Sequence, residues 1–382
     1  MTPSTSSKRV EKIYILAGEP SGDEHVAKVV QEALQLQPEL TFRGMGGDAM
    51  DAQGVVLVEH VRNTAIMGFA EVISKLWFIR GLFHRIQADI LRFNPDRILL
   101  VDYPGFNLRM AKWAKKNGFA VDMYISPQVW AWKRHRVHQI ARDIDRLNVI
   151  LPFEPDSYRG LDLDVEYVGH PLAESRPSAE SSHSQSGQAQ WRKTHGIPEK
   201  QPILALLPGS RPQEIQRLLP VLEETARVLP GHFPVIAGAP GRTLADYPTD
   251  LRVVFGETQA LYRHADVGIV TSGTATLEAA LAGMPQVVAY RTSSLTYQVA
   301  KAFSKVKYIS LVNLILNKEA VPERIQDQCT SQELTDSLKQ IMSPEGRSNM
   351  AKDVEALRSI LAKDGASGRV ARNLIRPVPI RH

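Results

Sequence analysis

Cysteine is nearly absent: Cys329 stands alone among 382 residues, so no intrachain disulfide can form, which fits a reducing compartment. No run of about 18 apolar residues is present that could span a bilayer. The polar opening MTPSTSSKRVEK lacks the apolar core of a secretory signal. Phosphate-loop and dinucleotide fingerprints are missing too, since GxxxxGK[ST] does not occur and no GxGxxG follows the first strand pattern of either half. The acid pairs DID (143–145) and DLD (162–164) lie in or near helical or charged-loop patterns and read as structural, so neither a metal nor a cofactor is expected. A cytoplasmic location follows.

What is there is an ordinary soluble composition, 43% apolar and 23% charged, with a net charge of +5. That excess favours anionic partners, whether nucleotides, acidic lipids or nucleic acid. The length exceeds what one hydrophobic core usually serves, so two domains are expected. KIYILAGE (12–19), RILLVDYP (97–104), AVDMYISP (120–127) and RLNVILPFE (146–154) are strand patterns separated by helical stretches at 22–36, 107–118 and 129–145, the spacing of parallel βαβ units. Periodicity disappears over 174–190 and restarts with PILALLPGS (202–210), FPVIAGAP (233–240), LRVVFGE (251–257), DVGIVTS (266–272) and PQVVAYR (285–291). The expected fold is α/β, with two Rossmann-like doubly wound parallel sheets facing a cleft. An acceptor domain covers 1–173, a linker 174–194 and a nucleotide domain 195–345, and helices at 346–382 cross the junction. Exchange of those helices between subunits would make a homodimer.

Ligands of open parallel sheets sit beyond the carboxyl ends of the strands. In the second half, TSGTATLEAALAG (271–283) leaves a strand and enters a helix, with Ser272 and Thr274 able to cap and Gly273 allowing close backbone approach. Such a turn binds anions. Glu278, four residues after Thr274, shares its helix face and could accept both hydroxyls of a ribose. LLPGSRPQEI (206–215) offers a second helix start, where Arg211 can clamp a phosphate. A plain capped helix with an exposed Glu or Arg is the other reading of each.

In the first half, AGEPSGDEHVA (17–27) places Glu19, Asp23 and His25 near the first strand tip, with Ser21 and Glu24 in capping-box spacing. VDYPGFN (101–107) ends the central apolar strand on Asp102. A carboxylate there is where a general base is expected, with Asp102 first and Glu19 second; simple turn-capping is the competing reading. FRGMGGDAM (42–50) reads as a Gly-rich turn. His170 of VGHPL reads as a core histidine as readily as a functional one. In MGFAEVISKLWFIRGLFHRI (67–86), Val72, Ile73, Leu76, Ile79, Phe83 and Ile86 form a core stripe. Phe69, Trp77, Phe78 and Leu82 widen the apolar arc beyond it, edged by cations, as in a helix dipping into an anionic lipid surface. A helix buried between domains or subunits is the alternative.

The motifs AGEPSGD, MGFAEV, DYPGFN, SPQVWAWKRHR, LPFE, VGHPL, LLPGSRPQEI, TSGTATLEAALAGMPQVVAYR and KYISLVNLI, in this order across 12–318, resemble the lipid-A-disaccharide synthase family. The resemblance implies a GT-B glycosyltransferase that is inverting and metal-independent, acting in lipid A biosynthesis. It would move 2,3-diacylglucosamine from its UDP derivative to 2,3-diacylglucosamine 1-phosphate (lipid X). It places UDP binding on Arg211, Ser272, Gly273, Thr274 and Glu278, and acidic motifs on Glu19, Asp23 and Asp102. Asn313 matches a family Asn, although Val312 precedes it where Pro is usual. Peripheral association with the cytoplasmic face of the inner membrane follows. Within YISPQVWAWKRHR, Gln128 is expected to shape the acceptor pocket and Arg134 to meet the acceptor phosphate or the headgroups beside it; Ser21, Asp23 and Asn313 are further residues expected at the substrate. Nucleic acid is not expected as a partner, because no other stacking platform or basic groove accompanies that stretch. The rivals are another UDP-sugar GT-B enzyme, such as a UDP-GlcNAc 2-epimerase, and a non-catalytic binder of acidic lipid.

Overall fold

The computed structural model describes residues 9–65, 72–131, 135–174, 185–293, 297–298, 307–361 and 365–377. The chain forms two units, Met1–Glu174 with Ala362–His382, and Ser175–Leu361. The first carries a parallel seven-stranded sheet in the order β3-β2-β1-β4-β5-β6-β7. Its strands are β1 (Lys12–Ala17), β2 (Thr41–Gly46), β3 (Val56–His60), β4 (Arg97–Val101), β5 (Ala120–Tyr124), β6 (Arg146–Val149) and β7 (Asp164–Tyr167). The second carries six parallel strands in the order β10-β9-β8-β11-β12-β13. These are β8 (Ile203–Leu207), β9 (Phe233–Gly238), β10 (Arg252–Phe255), β11 (Val267–Thr271), β12 (Gln286–Tyr290) and β13 (Glu323–Ile325). Both are the doubly wound sheets expected.

Continuous apolar runs make these strands central, because helices cover both sheet faces. Along β1, Ile13, Ile15 and Ala17 join one core with helix Pro20–Leu36 and the last helix, Ala366–Ile375. Tyr14 and Leu16 point the other way, into the core built on helices Val72–Phe93 and Pro104–Lys116. In β8, Leu204 and Leu206 face one side and Ile203, Ala205 and Leu207 the other. In each sheet the strand order reverses between the two central strands, β1 and β4 in the first, β8 and β11 in the second.

The differences from expectation have local causes. FRGMGGDAM is largely strand β2, not a turn: Gly44 lies there because a Cβ would fall 1.9 Å from the Ile15 carbonyl oxygen. β3 and β7 escape the apolar pattern because they are edge strands with half-exposed, partly charged sequences. The helix expected from 129 begins at Arg136. The stretch read as linker contains helix Gln185–Thr194, anchored in the second unit's core by Trp191. Helix Pro344–Leu361 belongs to the second unit, whereas Ala366–Ile375 returns to the first. There, Arg97 donates to Asp122 and to the Arg376 carbonyl (2.6 Å each), and Arg146 donates to the Asn373 carbonyl (2.6 Å). Asn373 donates to Asn148 (2.8 Å) and Glu166 (2.9 Å). Cores at 143–145 use their acids structurally: Asp145 accepts from the Val121 N–H at 2.9 Å, and Asp143 pairs with Arg142.

Candidate functional site

At the first sheet's reversal, β1 runs into Gly18 and Glu19, and β4 into Asp102 and Tyr103. Asp102 (φ 45°) and Tyr103 (φ 47°) both take left-handed backbone, a conformation that costs about 1–3 kcal/mol for a non-glycine residue. Gly18 leaves room for the Tyr103 ring, since a Cβ there would fall 2.2 Å from a ring carbon. Asn107, fully buried in the first turn of helix Pro104–Lys116, ties the tips together by donating to the carbonyls of Leu16 (3.2 Å), Val101 (3.1 Å) and Asp102 (2.8 Å). Burial, then the neighbouring Glu19 charge, pushes the Asp102 carboxyl up to about 6, against the lowering pull of the Tyr103 N–H. Glu19 itself is exposed at the N-cap of helix Pro20–Leu36 and makes no side-chain cap bond. The two carboxylates thus act on one another across one strand-end crevice.

Asp23 has a different place. Its buried carboxylate accepts from the N–H groups of Gly47 (2.6 Å), Ala49 (3.0 Å) and Met50 (3.1 Å), fixing the turn after β2. Ser21 is exposed beside it, and the expected capping box with Glu24 does not form because Glu19, not Ser21, is the N-cap. His25 and His170 are held neutral at about 4 and about 3, each chiefly by burial, with Lys28 adding to the first and His25 to the second. His170 accepts from the Leu172 N–H (3.2 Å), which leaves its ring proton on Nε2.

After β5, Ile125 adopts φ 67°, an outlier for a β-branched residue, and turns Ser126 inward to a 2.7 Å hydrogen bond with Tyr158. Gln128 is exposed at the crest of this turn. Trp130 packs edge-on against Phe153 at 5.2 Å. Beneath lies Glu154, pushed up to about 7 by burial although it accepts from Ile150 (3.0 Å) and Leu151 (2.9 Å); the Trp130 indole stands near without closing a hydrogen bond. Arg134, with Trp132 and Lys133, lies outside the described residues.

At the second sheet's reversal, β11 runs into Ser272 and Gly273. Gly273 (φ 150°, ψ −163°) is the N-cap of helix Thr274–Leu281, and a Cβ there would meet nothing within 4 Å. Its backbone shape requires glycine, and space lies in front of it. Neither Ser272 nor Thr274 caps: Ser272 donates instead to the Ile309 carbonyl at 2.9 Å, and Thr274 is exposed. Glu278 is half-buried one turn on, accepts from Gln259 at 3.3 Å, and together with burial raises the Tyr262 hydroxyl. The companion helix start differs from expectation. Arg211 is the N-cap of Pro212–Val228, and the Glu214 carboxylate takes the N–H groups of Ser210 and Arg211 (3.2 Å each), so this terminus is closed by its own chain. The Arg211 guanidinium is 79% exposed, with a single 3.3 Å contact to Glu214. Asn313 is fully buried and bonded on every side, to Val321, Glu323 and Ala320.

On helix Val72–Phe93, Trp77 is 70% exposed, with Arg80 exposed nearby and Phe78 half-buried under Arg85, 5.9 Å from its ring. Leu82 does not join them. It is buried in the core with Ile86 and Ile90, because the helix turns its 82–86–90 face to the sheet, where Asp89 pairs with Arg43 and Tyr14. Phe69 and the side chains of Val72, Ile73 and Leu76 lie outside the described residues. No described helix is long and apolar enough to cross a membrane. Sequence reasoning missed Asn107, Glu323, Gln259 and Glu154; a buried amide on an otherwise apolar helix face was the available signal for Asn107.

The model of the family described as Lipid-A-disaccharide synthetase matches residues 13–373. A Legionella pneumophila (strain Lens) protein named Lipid-A-disaccharide synthase 1 is 41% identical over 336 residues, covering 85% of this chain and 86% of that one. The chain belongs to this family. It is a glycosyltransferase, and its fold is that of the GT-B enzymes. The glycotransferase of kitacinnamycin superposes with a TM-score of 0.61 at 16% identity, covering 97% of this chain and 100% of that one. A putative UDP-N-acetylglucosamine 2-epimerase from Listeria monocytogenes gives 0.63 at 11% identity, covering 95% of each. At such identity these two speak for the fold alone.

Proposed function

We propose that this lipid-A-disaccharide synthetase family member transfers 2,3-diacylglucosamine from UDP-2,3-diacylglucosamine to 2,3-diacylglucosamine 1-phosphate, inverting the anomeric centre, forming a β-1,6 link and releasing UDP. The observation that carries the reading is Asp102, a largely buried carboxylate beside Glu19 whose affinity for a proton is raised to about 6 at a strand end. Asp102 takes the proton of the acceptor 6-hydroxyl while that oxygen bonds to the anomeric carbon. On the opposite face the bond from that carbon to the diphosphate breaks, and UDP leaves with the electron pair. Glu19 raises the basicity of Asp102 and is the second choice for the base.

The first unit serves the acceptor, with Ser21 and Gln128 facing it, Asp23 shaping the floor of the turn, and Arg134 in the role of phosphate contact. The second serves the donor. The N–H groups at Gly273 and Thr274, joined by Arg211, receive the diphosphate; this pre-placed positive field meets the charge that grows on the leaving group. Glu278 accepts from the ribose hydroxyls. Trp77, with the exposed Arg80 one turn on along the same helix, rests on the anionic cytoplasmic face of the inner membrane, where acylated substrates reside.

Incubation with UDP-2,3-diacylglucosamine and the acylated 1-phosphate acceptor should release UDP and give a β-linked disaccharide by proton NMR. Unacylated UDP-GlcNAc should give neither. Epimerisation of that sugar at C2, or UDP release with no disaccharide, would overturn the assignment.

A further inference from the structure

Behind the Gly273 turn lies a buried polar cluster to which the proposed reaction assigns no part. Glu323, at the start of β13, is 9% exposed. Its carboxylate accepts from the N–H groups of Ile309 (2.9 Å) and Ser310 (2.9 Å) and from the Asn313 amide (2.9 Å). Asn313 in turn donates to the Val321 carbonyl (2.8 Å) and accepts from Ala320 (2.7 Å) and Val321 (2.9 Å). Its own N–H donates to Ser310 Oγ at 3.2 Å. The entry to helix Leu311–Leu316 is thereby tied to the strand beside it. Held in this way, Ile309 presents its carbonyl to the Ser272 hydroxyl at 2.9 Å. A continuous path of hydrogen bonds runs from Asn313 and Glu323 through Ile309 to Ser272, the residue preceding Gly273.

The path ends one residue before Gly273, whose own carbonyl accepts from the Thr276 hydroxyl (2.8 Å) and N–H (3.2 Å). No atom within 4 Å would meet a side chain at Gly273, so neighbours do not wedge that residue into its glycine-only conformation. A buried carboxylate is also a poor choice for stability alone, since well-packed apolar residues usually serve as well; what it adds is direction, by aiming specific N–H groups.

We propose that Glu323 is a positioning residue for the donor: through Ile309 and Ser272 it fixes the N–H groups of Gly273 and Thr274 in the direction that receives the diphosphate. The inference rests on the assignment of that turn to UDP.

Donor and acceptor kinetics, with direct UDP binding by calorimetry, test it in Glu323→Gln and Glu323→Ala, folding being checked by thermal melting. The donor KM and the UDP Kd rise about fivefold in the first and about twentyfold in the second, while the acceptor KM stays at the wild-type value. Ser272→Ala raises the same two constants, and the Glu323→Gln/Ser272→Ala double variant is no worse than the worse single, because both cut one path. Effects that multiply in the double variant, or that fall on donor and acceptor alike, overturn the proposal. Should both Glu323 variants fail to fold, Ser310→Ala takes their place: it removes only the bond to the Asn313 N–H, and an unchanged donor KM there has the same overturning force. Wild-type protein that binds no UDP would instead sink the donor-site assignment.

Discussion

At the end of β4 the chain turns through two left-handed non-glycine residues, whereas at the end of β11 it turns through a glycine with nothing in front of it. The two sheets reverse their strand order in the same way, yet the chemistry at the reversals is opposite. The first crevice sets Asp102 and the Tyr103 ring beside an exposed Glu19 and ties the strand tips with Asn107; burial of Asp102 there favours a bound proton. The second starts helix Thr274–Leu281 on an exposed glycine with no side-chain cap, the arrangement that favours a bound anion. In the reaction we propose, strain and desolvation serve the base, and openness serves the phosphate, on one topology.

Replacing Asp102 by Asn tests the first half of that contrast most severely. Turnover at saturating substrates should fall about 10²–10⁴-fold, and the acid limb of kcat/KM, expected near pH 6, should vanish. Retained turnover would move the base to Glu19. Glu278→Gln probes the other crevice: the donor KM should rise about tenfold to a hundredfold with the acceptor KM unmoved, since one hydrogen bond to a charged group is lost.

The same Asp102→Asn variant should be more stable than the wild type at pH 8. Because the folded carboxyl titrates at about 6 rather than its ordinary 3.8, the folded state holds the proton more tightly. Wild-type stability therefore falls as pH rises from about 4 through 6, and the Asn variant escapes a loss of about 2 kcal/mol, with partial exposure discounted. Chemical denaturation at pH 4 and pH 8 measures it, and an equal difference at both pH values would refute the burial argument. Smallest, Gly273→Ala should cost the second unit about 1–2 kcal/mol of backbone strain. A neutral melting temperature would mean that the turn relaxes freely.

Most of this architecture was legible in the sequence. Strands buried on both faces announce themselves as unbroken apolar runs, so β1, β4, β8 and β11 and the carboxyl ends they carry were readable, and with them Asp102, Gly273 and Glu278. Edge strands β3 and β7 were not, because a half-solvated strand has no such run. Contacts set by tertiary approach were equally hidden. Nothing in the spacing of Leu82 separates it from Trp77 as a surface residue, and only the rotation of the helix on the sheet decides. Asn313 and Arg211 show the same limit: one turned inward with every polar atom bonded, and the other had its helix start closed by Glu214, a glutamate three residues on.

The last helix has a consequence for the order in which the molecule is made. Ala366–Ile375 supplies Val370, Ala371 and Leu374 to the first unit's core, and Arg97 and Arg146 reach across 279 and 227 residues to its carbonyls. During synthesis the first sheet emerges long before the helix that covers it, while the second unit has all its segments in hand by Leu361. The half of the protein that is translated first is therefore the half that finishes folding last, and protease resistance of stalled nascent chains should appear in the second unit before the first.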